Sequence, residues 1–309
     1  APAAVVLLAL TVGAAGWTWG HARLAATAPV PLHLPVAVVG TVVVDTPPVP
    51  DGYGGHRARA RADALQDPEG APVARGARIL LTLRGAGDPP PVGTRLRVAG
   101  DLRVAATRDS PGWWHRWLDR QGISARMTPR VAAPVGRRGG AYGLRDRWRT
   151  WAMANAAPGL GGDTAGLVRG MALGGGSLLS QEAADAFRDA GIWLLLAVSG
   201  QNVTVVALAT LTMLMALGVA RRPGVAVSAL VMIAYCLACD GGASVARAGT
   251  VGALALAGEL RSAPRDRWAL LLAGLALILA WQPRALGDPG LQLSFAAVVG
   301  LFALGPPIA

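Results

Sequence analysis

Two patterns of apolar and polar positions divide this chain. Long runs with few charges occur at Pro2–Trp19, Ile192–Ala220, Val225–Cys239, Ala248–Leu260, Trp268–Trp281 and Leu291–Ala309. Several approach the roughly 20 apolar residues that span a bilayer, which predicts a polytopic α-helical transmembrane bundle over 191–309 and a first span over 1–19. Between Pro35 and about Pro134 the pattern changes to short alternating runs bounded by Gly and Pro. Val36–Asp45, His56–Ala64, Arg78–Leu83, Thr94–Arg103 and Ile123–Thr128 read as five strands. Five short strands over about a hundred residues suit a small five-stranded barrel of the oligonucleotide-binding (OB) type, assigned to 35–134. The fold class expected is therefore an α+β membrane protein.

Between the two regions, over 141–190, the pattern is helical and amphipathic. Leu144, Trp148, Trp151 and Asn155 fall on one side of a helix, with Arg145, Arg147 and Arg149 spread around the rest. This is the pattern of an interfacial helix lying among lipid headgroups. Shorter helices are expected near Thr164–Leu173 and Gln181–Ala190, with Gly174-Gly175-Gly176 between them.

Composition agrees with the membrane reading: 53% of the 309 residues are hydrophobic and the mean hydropathy is +0.42. Charge is uneven. All 29 basic residues are Arg, and 20 of them lie between Gly20 and Thr150 against 10 acids, which leaves almost the whole +11 on that region. Such a patch attracts polyanions, either nucleic acid or anionic headgroups. Codon bias toward Arg explains the missing Lys but not the twofold excess over acids.

Arg57, Arg59 and Arg61 alternate with Ala, which puts all three on one face of a strand, and Arg95 and Arg97 repeat the device. Such a face could track a phosphate backbone, with Trp113 and Trp114 as stacking surfaces and Trp117 nearby. An ordinary solvated face, its tryptophans resting on a membrane, accounts for the same residues.

Inside the run Ile192–Ala220 stand four small polar residues, Ser199, Gly200, Gln201 and Asn202. Unpaired polar groups cost several kcal/mol in hydrocarbon, so the cluster should face protein or water. It marks either the lining of a pathway or a seam where helices pack closely. Arg247, one turn into its helix, could contact phosphate, pair with Asp240 or Glu259, or snorkel to the interface. Gln292 and Ser294 fit pore lining and structural hydrogen bonding equally. Cys236 and Cys239 have no companion ligands for zinc and read as small packing residues.

Arg221 and Arg222 in one turn, and Arg261, Arg265 and Arg267 in another, put those turns in the cytoplasm by the positive-inside rule. The barrel is then extracytoplasmic, in a multi-pass inner-membrane protein. The first run lacks the basic residues that precede a signal peptide's apolar core and ends in Trp17 and Trp19, as a true span does. The start at Ala1 and the end just past Gly305-Pro306-Pro307 read as a piece of a longer protein.

Four stretches in order resemble the ComEC family of competence proteins. FRDAGIWLLLAVSGQNVTVV (Phe187–Val206) resembles its GLxHLLAVSG signature, and ASVARAGTVGALAL (Ala243–Leu256) its PSxxRA segment. DPGLQLSFAAVVGLFAL (Asp288–Leu304) is similar to its GFQLSFxAVxGL segment, and SPGWWHRWLDRQGISA (Ser110–Ala125) to the stretch closing its N-terminal domain. The resemblance implies a channel carrying single-stranded DNA across the cytoplasmic membrane during natural transformation, with no cofactor. It implies an external DNA receptor and a cytoplasmic motor ATPase as partners, and admits a homo-oligomer. Without Lys the chain has no Walker A motif of its own. Leu194 stands where the family has His, which puts any role of that His in doubt. The metallo-β-lactamase-like domain of many relatives is not in these residues, so no nuclease activity is carried over.

Two other readings remain open. Ser199 as the nucleophile of a membrane hydrolase lacks a base, because all four His lie before the bundle. A permease for a small molecule or lipid, with the barrel as an accessory, would be favoured by inverted repeats, which the sequence does not display.

Overall fold

The computed structural model describes residues 16, 18–22, 35–51, 53–84, 89–106, 110–174, 179–192, 200–239, 243–260 and 266–308. Most of the expected first span falls outside these residues, as do Leu194, Ser199, Asp240, Arg261 and Arg265. The chain forms two compact units, Ala28–Met171 with Gly175–Leu196, and Ala1–Thr27 with Ala172–Gly174 and Ala197–Ala309.

The first unit is built on one sheet of seven strands: β1 (Val36–Val44), β2 (Val49–Pro50), β3 (Gly55–Gln66), β4 (Pro72–Ala74), β5 (Arg78–Arg84), β6 (Thr94–Val104) and β7 (Ile123–Arg137). The five long strands are those read from the alternation. Their pairings run β1–β6–β7–β5–β3, antiparallel except for the parallel β5–β7 pair, and β3 pairs again with β1. β1 serves two neighbours because it bends. Its register with β3 shifts between Thr41 and Val42, next to Gly40, whose Cα lies so near β3 that an added Cβ would sit 2.0 Å from the Ala64 carbonyl oxygen. Only glycine tolerates that approach.

The interior follows from the alternation. On β3, Ala58, Ala60 and Ala62 are buried while Arg57, Arg59 and Arg61 point outward. Val38, Val42 and Val44 of β1, Ile79 and Leu81 of β5, Leu96, Val98 and Leu102 of β6, and Met127 of β7 complete the core. Each large apolar side chain buried here contributes about 1.5–3 kcal/mol. β7 runs nine residues past the expected Thr128. Pro129 and Pro134, which look like strand ends in the sequence, sit where the β6–β7 register shifts, opposite Gly100 and Leu96.

Two helices brace the sheet. α1 (Gly112–Gln121) packs Leu118, with Trp114 and Trp117, on Leu80, Ala105 and Ile123 outside the core. α2 (Gly140–Asn155) begins just past β7 and is held by Arg138. The Arg138 guanidinium donates to Asp146 through Nε at 2.5 Å and Nη2 at 2.9 Å, and to Asp45 at the end of β1 through Nη1 at 2.7 Å. Asp146 is 4% exposed. These bonds, the Asp146 pair above all, hold Arg138 further toward its charged form than an ordinary arginine. α3 (Gly162–Leu173) and α4 (Gln181–Asp189) are clipped together by Asp163, which accepts from the Ser180 backbone N–H at 2.6 Å and its hydroxyl at 2.7 Å.

The second unit contains α5 (Gly200–Ala216), α6 (Arg221–Ala238), α7 (Ala243–Leu260), α8 (Arg267–Trp281), a 3-10 turn (Pro283–Gly287) and α9 (Pro289–Ile308). They match the long apolar runs. α6 is long and apolar enough to cross a membrane, and α5, α8 and the Pro289–Leu304 part of α9 are shorter apolar helices. α5, α6 and α7 pack on one another, and α7 also packs on α8 and α9. Leu271, Leu291 and Phe295 form the contact between α8 and α9. Large apolar side chains stand exposed along this unit, among them Leu208, Met213, Leu230, Leu272, Leu293 and Leu301. A soluble protein rarely leaves so many uncovered.

Candidate nucleic-acid interface

The strand order brings four arginines from four strands to one groove of about 720 Å³ on the outer side of the sheet: Arg57 of β3, Arg84 of β5, Arg103 of β6 and Arg126 of β7. Trp113 and Trp114 of α1 form its aromatic wall. α1 is positioned to do this because Leu118 and Trp117 anchor it, leaving Trp113 62% exposed. The two indoles meet edge-on, centroids 5.7 Å apart, and Trp114 stacks on Trp117 at 4.9 Å. The Arg57 guanidinium lies 6.0 Å from the centre of the Trp114 ring, a cation–π geometry that stiffens both groups.

Arg103 and Arg126 face each other in the β6–β7 register. Like charges directly opposite are destabilising, and among the described residues the carboxylate paired beside them is Asp101. It lies 3.4 Å from Arg103 and 3.3 Å from Arg130, so two arginines share it. Asp51, the other acid of the groove, is occupied by its own turn. Its Oδ1 accepts from the backbone N–H groups of Tyr53 at 2.8 Å and Gly55 at 2.9 Å, which hold its carboxyl below the usual range. The groove is thus a cationic strip beside exposed indole faces, suited chemically to phosphates and to stacked bases.

The basic residues read from the sequence separate here. Arg57 lines the groove. Arg59 donates through Nη1 to the Gln121 side chain, and Arg78 donates to the Gln121 carbonyl at 3.0 Å, so the two cations tie down the C-terminal end of α1. Arg61 pairs with Asp45 and Arg95 with Asp63, each at 3.4 Å. Arg97 is exposed on β6 and does not line the groove. Trp113 and Trp114 both line the groove. Arg84, Arg103 and Arg126 were not singled out, although Arg103 shares the outward parity of Arg95 and Arg97.

In the helical unit the polar residues meet in pairs. The Gly200 N–H donates to Ser244 Oγ at 2.8 Å, and a Cβ on Gly200 would lie 3.0 Å from the Ser244 carbonyl oxygen. Asn202 hydrogen-bonds the Tyr235 hydroxyl, which donates to the Ala172 carbonyl at 2.5 Å. Ser228, fully buried, donates to the Ala207 carbonyl at 2.6 Å. Arg247 Nε donates to Ser294 Oγ at 2.5 Å, joining α7 to α9. Gln201 is exposed, and Gln292 caps the 3-10 turn through the Leu286 carbonyl at 2.8 Å. Glu259 pairs with Arg221 at 2.7 Å. It lies twelve positions from Arg247 on one straight helix, about 18 Å away, so Arg247 does not take that partner. Gly249 packs on Cys236, where a Cβ would come 2.9 Å from the sulfur. Cys236 and Cys239 are both free thiols, and Cys239 is buried. Among the described residues no group of His, Cys, Asp and Glu could hold a metal ion.

Residues 171–309 match the family model described as Competence: Competence protein. No curated protein and no solved structure matches the chain. The matched segment spans α4 to α9 and contains all three downstream stretches that resembled the ComEC signatures. Over these residues the chain matches the competence family, which supports the resemblance to the ComEC family of competence proteins.

Proposed function

We propose that this chain is the membrane component of a DNA-uptake system, and that its sheet unit receives single-stranded DNA before the helical unit conducts it across the membrane. On this reading the closed circuit of strand pairings is an OB-like barrel, and the groove of Arg57, Arg84, Arg103 and Arg126 beside Trp113 and Trp114 is its nucleic-acid face. The observation that carries the proposal is the Arg103–Arg126 opposition within that groove. Two guanidinium groups held face to face are relieved by a bound phosphate, and the neighbouring indoles offer stacking to bases that only a single strand exposes.

The helices then form a multi-pass bundle. The exposed Leu and Met side chains along α5, α6, α8 and α9 meet lipid. The polar residues Gly200, Asn202, Ser244, Arg247 and Ser294 lie on the helix contacts that would part or line a passage when DNA enters. The chain holds no lysine and so no Walker A motif; on this reading a separate motor supplies the force.

The test is fluorescence anisotropy of a labelled oligonucleotide with the full chain in nanodiscs. Single-stranded DNA binds more tightly than the duplex of the same sequence, with a log–log salt slope of about −3 for four phosphate contacts on a single strand. Equal affinity for both forms, or binding indifferent to salt, contradicts the proposal.

A further inference from the structure

The parallel pairing of β5 with β7 stops at Leu81 and Met127, yet β5 runs on to Arg84 and β7 to Arg137. Past Met127, β7 pairs with β6. The two strands therefore part, and between them opens a slot of about 560 Å³, the size of a site for one small organic group. Leu83 and His56 stand on one side of it, and Ala132 and Pro134 of β7 on the other. Leu96 of the core lines it as well, as does Pro91, whose carbonyl accepts from the Thr94 hydroxyl at 2.7 Å. The walls are mostly apolar, and no Asp or Glu is among the described residues that line them.

Each of the two parted strands brings a cation to this slot. Arg84 of β5 lines both the slot and the groove of Arg57, Arg103 and Arg126, so the two cavities adjoin at its guanidinium. Asp51, which interacts with Arg84 through space, lines the groove and not the slot. Arg137 of β7 is positioned by neutral oxygens: its Nη2 donates to the Val92 carbonyl and to the Thr150 hydroxyl, each at 3.3 Å. We infer that the slot is a base-binding subsite that extends the groove, a role that rests on the groove receiving single-stranded DNA. A phosphate on Arg84 carries the strand from the groove to the slot, and the next base turns in between the walls, where the His56 ring offers a stacking face. Arg137 then meets the phosphate that follows. An apolar slot with a cation on either strand matches one nucleotide, a base between two phosphates. A small amphiphile would use the walls and one cation, whereas a nucleotide uses both, and a base held in a duplex cannot enter.

The test is anisotropy of labelled oligothymidylates of increasing length with the full chain in nanodiscs. The unchanged chain is compared with Ala132→Trp, which fills the slot from an exposed position, and with Ala132→Ser, which leaves it open. The unchanged chain and Ala132→Ser gain about tenfold in affinity at the length that first reaches the slot, the worth of one stacked base. Ala132→Trp lacks that step and binds the shorter oligonucleotides as the unchanged chain does. An abasic residue at the end that reaches the slot removes the step from the unchanged chain and changes nothing in Ala132→Trp. A step that survives Ala132→Trp, an equal loss at every length in that variant, or an affinity that climbs smoothly with length in all three proteins overturns the subsite and leaves the groove standing. Failure of the unchanged chain to bind at any length overturns the groove, and the subsite with it.

Discussion

Arg103 on β6 and Arg126 on β7 stand directly opposite each other, and only Arg103 of the two has a carboxylate within ion-pair distance among the described residues. An arrangement that costs the empty protein free energy must be relieved when the groove is filled. Changing Arg126 to Gln should therefore raise the unfolding midpoint slightly while weakening single-stranded DNA binding about tenfold, the loss of one charge-assisted contact. Paired thermal-unfolding and anisotropy measurements check it. A variant that loses both stability and affinity would mean that Arg126 supports the fold.

The Arg138 clamp behaves in the opposite way. Asp146→Ala leaves a largely buried guanidinium with Asp45 as its remaining carboxylate partner among the described residues, and loss of one member of a buried pair costs about 3–5 kcal/mol. Denaturation of the sheet unit, followed by hydrogen exchange of the β1 and β7 amides, should show that loss. Replacing Asp146 by Asn should cost less, because one acceptor oxygen survives.

Closure of the strand circuit depends on Gly40. A methyl group there would meet the Ala64 carbonyl oxygen at 2.0 Å, so Gly40→Ala must separate β1 from β3. Exchange protection should fall at the β1–β3 amides and persist at β5–β7. Uniform loss across the sheet would indicate that the five strands unfold as one cooperative body.

The turn beside the groove gives a pH dependence. Asp51 has a folded pKa below its unfolded value because its carboxylate accepts from Tyr53 and Gly55. Its contribution is present above the unfolded value, near 4, and is lost as pH falls through the lower folded value. The amides of Tyr53 and Gly55 should stay protected at neutral pH and lose protection only in that acidic window. Asp51→Asn should remove the pH dependence at those two amides while leaving β5 unchanged.

The strands were legible because one side of each had to be filled with small or β-branched residues. Ala58, Ala60 and Ala62 alternate with Arg57, Arg59 and Arg61, and burial follows that parity residue by residue. The apolar runs likewise coincide with α6 to α9, although α6 and α7 begin four and five residues before their runs. What the alternation does not carry is which strands become neighbours. Arg84, Arg103 and Arg126 converge only because β5 pairs in parallel with β7 across some forty residues of chain, so the groove was invisible while its Arg57 and tryptophans were not. Pro129 and Pro134 misled for a local reason: each removes a ladder N–H, and the register shifts opposite them absorb the loss. In the helical unit the sequence marked Gly200 and Asn202, but their partners Ser244 and Tyr235 come from other helices. Ser199 and Asp240 lie outside the described residues.

A coupling prediction follows for the membrane side. Arg247 and Ser294 join α7 to α9, so the double variant Arg247→Gln, Ser294→Ala should lose less stability than its two single variants together, with an interaction of about 0.5–3 kcal/mol. Additive effects would place the two side chains in independent settings. DNA uptake by cells carrying Arg247→Gln or Asn202→Ala should fall while the protein still inserts.

The measurement closest to the central claim compares charge reversal inside the groove with charge reversal outside it. Full-length chain in nanodiscs is titrated with a labelled single strand after Arg126→Glu and, separately, after Arg97→Glu, an exposed cation on the same sheet that does not line the groove. The account predicts that the first variant loses affinity about a hundredfold and the second changes it less than threefold, since only contact phosphates carry the large electrostatic term. Equal losses, or none in either, would mean that the groove of Arg103, Arg126, Trp113 and Trp114 is not where DNA is received.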